Sequence, residues 1–211
     1  MTMTFYDFSM APSPRRARIL LAEKGVAFDT VSIDMRKAEQ LGDEFRAINP
    51  SCTVPALKLD DGTVFTENAG IAAYLEAQFP NPPMLGTSSV EKGMVANWTA
   101  KAELEGLSAV AEALRNSSPG MKDRAMTGPV NHQQIPELAE RGLARLQNFF
   151  DMLDARLEDR EYLAIDTFSN ADITAAVVVD FARVVKVKPQ ERHKNILRWR
   201  EHLNSRPSMA L

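Results

Sequence analysis

The chain has 211 residues, with 25 Lys and Arg against 28 Asp and Glu and a net charge of −3 with His neutral. At 45% apolar and 25% charged, it has enough apolar residue for a substantial core, which excludes a disordered chain. A pI of 5.7 excludes binding driven by neutralisation of nucleic-acid phosphates, so no nucleic-acid partner is expected.

No run of about 18 apolar residues occurs, so no membrane span is expected. The opening stretch lacks a charged region followed by an apolar one, so no secretory signal is expected either. The single cysteine forbids an internal disulfide and any CxxC redox or zinc site. A reducing, cytoplasmic setting fits that.

In chain order, Thr4 to Phe8 is a β-prone run ending at a Ser/Pro cluster. Residues 14–25 then form a helix, with Ser13 as N-cap, Pro14 in the first helical position and Gly25 as the stop. A second strand spans 27–33. Leu41, Phe45 and Ile48 give a helical spacing over 37–48, broken by Asn49-Pro50. Val54 to Leu59 is a strand, Asp60-Asp61-Gly62-Thr63 a hairpin turn, and Val64-Phe65 the return strand. A third helix runs over 67–79. The order is βαβ followed by αββα.

Pro80-Asn81-Pro82-Pro83 marks a linker. It separates a first domain, 1–82, from a second, 90–211, with 83–89 between them. The second domain shows only helical patterns. A long helix covers 90–116 and a loop with one helical turn 116–136. An amphipathic helix covers 138–157 and a last one 190–203. Ser169-Asn170-Ala171-Asp172 is a capping box with Asp in place of Glu, flanked by Phe168 and Ile173 as a hydrophobic staple. It opens a helix over 173–185 that is apolar nearly all round and so should be buried at the centre of the domain.

The chemistry is confined to the first domain. His132, His193 and His202 stand in no hydrolase or metal pattern, and no HExxH, GxGxxG or Walker sequence occurs, so no metal is expected. Proline at the start of a central strand is anomalous, because it cannot donate to the ladder. A cis Val54–Pro55 bond explains it. That turn leaves the N–H and C=O of Val54 facing open space, where an extended peptide can pair as a short strand. Glu67 and Asn68 lie at a helix N-terminus. Its N–H groups attract a carboxylate, while Glu67 can hold an ammonium. Ser13 puts a hydroxyl at another helix N-terminus, where a thiol's pKa falls from about 8.5 to roughly 3.5–7.5. The implied ligand is a peptide with an amino-acid head and a thiol to be ionised.

These residues carry a resemblance to a family. Ile48-Asn49-Pro50, Val54-Pro55-Ala56-Leu57, Thr66 to Leu75, Phe168 to Ile173, and Trp199-Arg200 with Arg206-Pro207-Ser208 stand in an order and spacing that resemble the cytosolic glutathione transferases. The resemblance covers essentially the full chain. It implies an α/β thioredoxin-like first domain with a mixed four-stranded sheet, an all-α second domain, and a homodimer. It implies glutathione as co-substrate, conjugated to a hydrophobic electrophile. By the same resemblance, Val54 makes the two backbone bonds to the cysteinyl part beside cis Pro55, and Glu67 binds the γ-glutamyl end. Asn68 replaces the usual Ser. Gln40 matches a glutamine that some bacterial members use near the glycine end.

By the same resemblance, the residue expected to contact the thiol is Ser13, with Ser9 as the runner-up. The electrophile would sit between the Met10-Ala11 loop and the start of the helical domain, against Trp98. Aryl halides, epoxides, peroxides, β-ethers and ring-cleavage products are all open. A glutathione-dependent peroxidase or disulfide reductase is the enzymatic alternative. A ligand-carrying or protein-interaction member that has lost activity is the other. Cys52 stands where the family usually has Gly. It is either a tolerated loop side chain or a thiol that forms a mixed disulfide with glutathione.

Overall fold

The computed structural model describes residues 3–211. Packing divides the chain into two units. The first takes the residues up to Pro82 together with Met126–Asn131 and Leu211; the second takes Pro83–Ala125 and His132–Ala210.

The first unit begins with β1 (Thr4–Asp7), α1 (Pro12–Glu23) and β2 (Asp29–Ser32). Two 3₁₀ turns, Met35–Lys37 and Glu39–Leu41, precede α2 (Asp43–Ile48). Then come β3 (Ala56–Lys58), β4 (Val64–Phe65) and α3 (Asn68–Gln78). The sheet order is β2-β1-β3-β4. β1 and β2 are parallel, with Tyr6 opposite Val31, and the other two pairings are antiparallel, with Tyr6 opposite Ala56 and Leu57 opposite Phe65. This is the mixed four-stranded, thioredoxin-like sheet that the resemblance implies.

Three local readings are corrected. The helix read over 37–48 is broken into two 3₁₀ turns and the short α2. Ala38 between them takes a left-handed φ of 59°, which no helix interior accommodates. Ser13 is not an N-cap: Ala11 is, Pro12 opens α1, and Ser13 lies in its first turn. Proline tolerates the first turn because the N–H it lacks would have no partner there. β3 is shorter than the strand read over 54–59, because Pro55 cannot join the ladder. Gly25 does end the helix, with φ 62°.

The core between sheet and helices holds Phe5, Ile19, Leu21, Leu57, Ile71 and Leu75, all fully buried. Each contributes about 1.5–3 kcal/mol by leaving water. At the other end of α1, Lys24 has a wholly buried side chain. Its Nζ donates to the Glu76 carboxylate at 2.6 Å and to the carbonyls of Phe79 and Pro82 at 2.7 and 2.6 Å. All three ammonium hydrogens are matched, as a buried charge requires.

The second unit is built on five α-helices: α4 (Ser89–Lys101), α5 (Ser108–Ser117), α6 (Pro136–Arg156), α7 (Asn170–Phe181) and α8 (Lys194–Leu203). A wide π turn, Ala102–Leu107, interrupts the single helix read over 90–116. There Gly106 meets α6 and α7 so closely that a Cβ would lie 2.8 Å from Val178 and 3.1 Å from Phe149. The loop before α6 contains one 3₁₀ turn, Pro119–Met121. α7 starts at Asn170, inside the capping box, and its last turn, Ala182–Val185, tightens to 3₁₀. Every residue from Ala171 to Val179 is buried. No helix among the described residues is long and apolar enough to cross a membrane.

Candidate functional site

The topology gathers four chain segments at one end of the sheet. β1 leaves the sheet there and enters α1. β2, parallel to β1, leaves at the same end and enters the turn that carries Gln40. β3 runs antiparallel, so it enters there, through Val54 and Pro55. β4 leaves there again and enters α3 at Glu67. Ser13, Gln40, Val54, Pro55, Glu67 and Asn68 therefore stand around one edge of one domain. A small cluster of Ile33, Phe45 and Val54, with Tyr6, Phe8 and Met35 packed against it, fills the space beneath. The Tyr6 ring is edge-on to Phe45 at 5.8 Å.

The Val54–Pro55 bond is cis. Val54 lies just outside the β1–β3 ladder, and neither of its backbone groups meets a backbone partner among the described residues. The loop before it is stitched by Asn49, which is 1% exposed. The Asn49 side chain donates to the Thr53 carbonyl at 2.7 Å and accepts from Ser51 N–H at 3.0 Å. This positioning role of Asn49 was missed in the sequence, where Asn49-Pro50 signals only a helix end. Cys52 in the same loop has φ 54° and is 2% exposed, with its Sγ 3.6 Å from the Pro50 carbonyl. The left-handed backbone is why glycine suits this position. The buried thiol meets no reagent unless the loop opens.

The first turn of α1 is short of donors. Pro12 and Pro14 carry no N–H, Ala11 N–H is taken by the Phe8 carbonyl at 2.9 Å, and Arg15 N–H points to Ala11 at 3.3 Å. Ser13 alone offers a backbone N–H there without a backbone acceptor among the described residues. Because Ala11 holds the cap position, the half-buried Ser13 side chain is released from capping. One residue thus presents both an N–H and an O–H at a positive helix end. Ser9 is exposed, and its carbonyl is bound by Arg18 at 3.1 Å. Arg18 also pairs with Asp7 of β1.

At the start of α3, Glu67 holds the N-cap position with an exposed side chain that makes no cap bond, and the half-buried Asn68 follows. The first-turn N–H groups and the Glu67 carboxylate offer opposite charges to one zwitterionic head. Gln40 is 7% exposed, and its Oε1 is enclosed with no donor among the described residues. Met10 is 69% exposed on the loop beside Ala11. Trp98 is in the second unit, on α4. Its ring is nearly buried, with Lys101 Nζ at 4.6 Å and the Arg156 guanidinium at 5.1 Å from its centroid. No group of three or more acidic, His or Cys residues suited to a metal occurs among the described residues.

Comparison with known proteins gives a consistent result. The family described as "Glutathione S-transferase, N-terminal domain" matches residues 11–78, and "Glutathione S-transferase, C-terminal domain" matches 119–207. The chain is 35% identical over 210 residues to glutathione S-transferase 2 of Saccharomyces cerevisiae, covering 98% of this chain and 88% of that protein. Among solved structures, it resembles a glutathione S-transferase domain-containing protein of Marinobacter aquaeolei VT8. The TM-score is 0.90 at 33% identity, covering 98% of this chain and 99% of that one. It also resembles Gtt2 of Saccharomyces cerevisiae, with a TM-score of 0.89 at 35% identity and 98% of each chain covered.

Proposed function

The chain belongs to the glutathione S-transferase family, and from that premise we propose that it binds glutathione, stabilises its thiolate and conjugates it to a hydrophobic electrophile. The observation that supports this most directly is the turn at Val54. A backbone N–H and C=O stand without backbone partners beside a cis proline, at the sheet end where two helices begin. A peptide ligand laid there pairs as one more strand. Its γ-glutamyl head then meets Glu67 and the first turn of α3, and its cysteinyl sulfur meets the first turn of α1.

Ser13 is the donor to that sulfur in this reading. Its hydroxyl and its N–H both stabilise the thiolate over the thiol, and a hydrogen bond to a charged group contributes about 1.5–3 kcal/mol. At about 1.4 kcal/mol per pKa unit, that lowers the thiol by roughly 1–2 units. Catalysis is then a raised thiolate fraction together with proximity to the electrophile. The exposed Met10 beside the Ala11 cap supplies an apolar contact for that electrophile.

The test is calorimetric titration of the protein with glutathione at two pH values, in buffers of different ionisation heat. Saturable binding with proton release near neutral pH is the expected result. Binding without proton release would refute thiolate stabilisation. No binding at millimolar glutathione would refute the whole reading and leave a fold kept for carrying another ligand or for protein contacts.

A further inference from the structure

We infer that Met126–Asn131 is part of the glutathione-binding machinery: this tip braces the Ser51–Val54 loop, with Gly128 as its positioning residue. The inference rests on the glutathione reading above. In sequence the tip falls between α5 and α6, yet it packs with the sheet unit. Gly128 is buried with φ 107°, and a Cβ built on it would stand 3.6 Å from the Ser51 carbonyl oxygen. Space there is adequate. The backbone conformation is what demands glycine.

Both sides of this contact are held. The flanks of the tip are joined by Ala125 N–H to the His132 carbonyl at 3.1 Å and His132 N–H to the Asp123 carbonyl at 3.0 Å. The ends of the surrounding loop are fastened by Arg115 to the Arg124 carbonyl at 3.0 Å and by Ile135 N–H to Asn116 at 2.9 Å. Gln134 adds donations to the Arg115 and Ser118 carbonyls, each at 2.8 Å. A loop tied at so many points presents a stiff tip. Opposite it, Asn49 stitches Ser51 to Thr53 from the inside, and the tip meets Ser51 from the outside. Val54 follows within the same loop. A shift of Ser51 therefore moves the two backbone groups offered to the ligand, and hydrogen bonds weaken steeply when misaligned.

The sole cysteine, Cys52, lies in the braced loop and is buried, so its alkylation rate reports loop opening whether or not glutathione binds. The variant is Gly128→Ala. Gly120→Ala is the control, because Gly120 lies in the same long loop with no positive φ and a Cβ there would be 3.9 Å from its nearest neighbour. Strain at a positive φ corresponds to roughly tenfold or more in such an opening equilibrium. The expected result for Gly128→Ala is Cys52 labelling about tenfold faster, with a rate insensitive to low urea, as local opening requires. Its glutathione Kd and KM rise severalfold, because the displaced closed loop misaligns the Val54 hydrogen bonds, while kcat at saturation holds. Gly120→Ala behaves as the unmodified protein.

Labelling and Kd both within about twofold of the unmodified protein in Gly128→Ala would overturn the brace. Faster labelling with no glutathione binding by any form would support the brace and overturn the glutathione reading. Hydrogen exchange on the unmodified protein answers independently of any variant. Saturating glutathione should slow exchange in residues 126–131 together with 51–54, and no change in 126–131 overturns the proposal.

Discussion

Replacement of Asp172 by alanine tests the packing logic of the helical unit. The carboxylate is inaccessible to solvent and accepts four hydrogen bonds. Oδ1 takes Leu163 N–H at 2.8 Å and Trp199 Nε1–H at 3.1 Å; Oδ2 takes Ser169 N–H and the Ser169 hydroxyl, each at 3.0 Å. Alanine strands three of these donors, since the hydroxyl alone can turn away. At about 1–3 kcal/mol per unsatisfied buried donor, the loss is roughly 3–9 kcal/mol, a large part of a typical total of about 5–15 kcal/mol.

The loss should also depend on pH. Burial pushes the Asp172 carboxyl up from 3.8 to about 6, despite the four donors that favour the charged form. A raised folded-state pKa means that the native protein binds the proton more tightly. The resulting stability is complete below about pH 3.8 and is lost as pH rises through about 6. The unmodified protein should therefore exceed Asp172→Ala by about 2 kcal/mol more at pH 4.5 than at pH 7. Urea unfolding followed by far-UV circular dichroism at the two pH values gives both numbers. A loss under about 1 kcal/mol at pH 7 would refute the account of stranded donors, and a loss equal at both pH values would refute the account of the buried carboxyl.

Ser13→Ala should lower kcat/KM by roughly tenfold to a hundredfold and raise the bound thiol pKa by about 1–2 units; an unchanged pH–rate profile would sink the assignment. Glu67→Gln should raise the KM for glutathione by about tenfold with little change in kcat, through loss of the ammonium partner; steady-state kinetics with varied glutathione decides it, and an unaltered KM rules it out. Lys24→Met should cost about 3–5 kcal/mol, because it leaves Glu76 and two carbonyls without their buried donor. A thermal midpoint equal to that of the unmodified protein would contradict this.

The fold was legible wherever local chemistry has one solution. Pro55 at a strand entrance, Asp60 to Thr63 between two apolar runs, and Ser169 to Asp172 before an apolar run each admit few backbones, and each stands as read. The sheet end that collects Ser13, Val54 and Glu67 follows from those elements and their register. What escaped was set by packing at a distance. Ala38 carries no signal of its left-handed turn, which ends a helical spacing that Leu41 and Phe45 support. The π turn holds Gly106 against Val178 and Phe149, which are far away in sequence. The cap register of α1 hid behind two prolines, each a fit for a first turn. Nothing in Met126–Asn131 announces that it joins the sheet unit.

The alternation Pro12-Ser13-Pro14 has a consequence for how this site tolerates change. An ordinary first turn offers several amides, any of which can substitute for another. Here Pro12 and Pro14 carry no amide hydrogen, the amides of Ala11 and Arg15 are engaged, and the donor that remains among the described residues belongs to the main chain at position 13. Side-chain exchange at that position cannot delete it. On the proposed reading, a substitution at Ser13 therefore removes the hydroxyl's share of the activity and leaves the share that the amide supplies. The site is also open to gain at the flanks, where any residue other than proline at 12 or 14 would restore an amide to the same positive end.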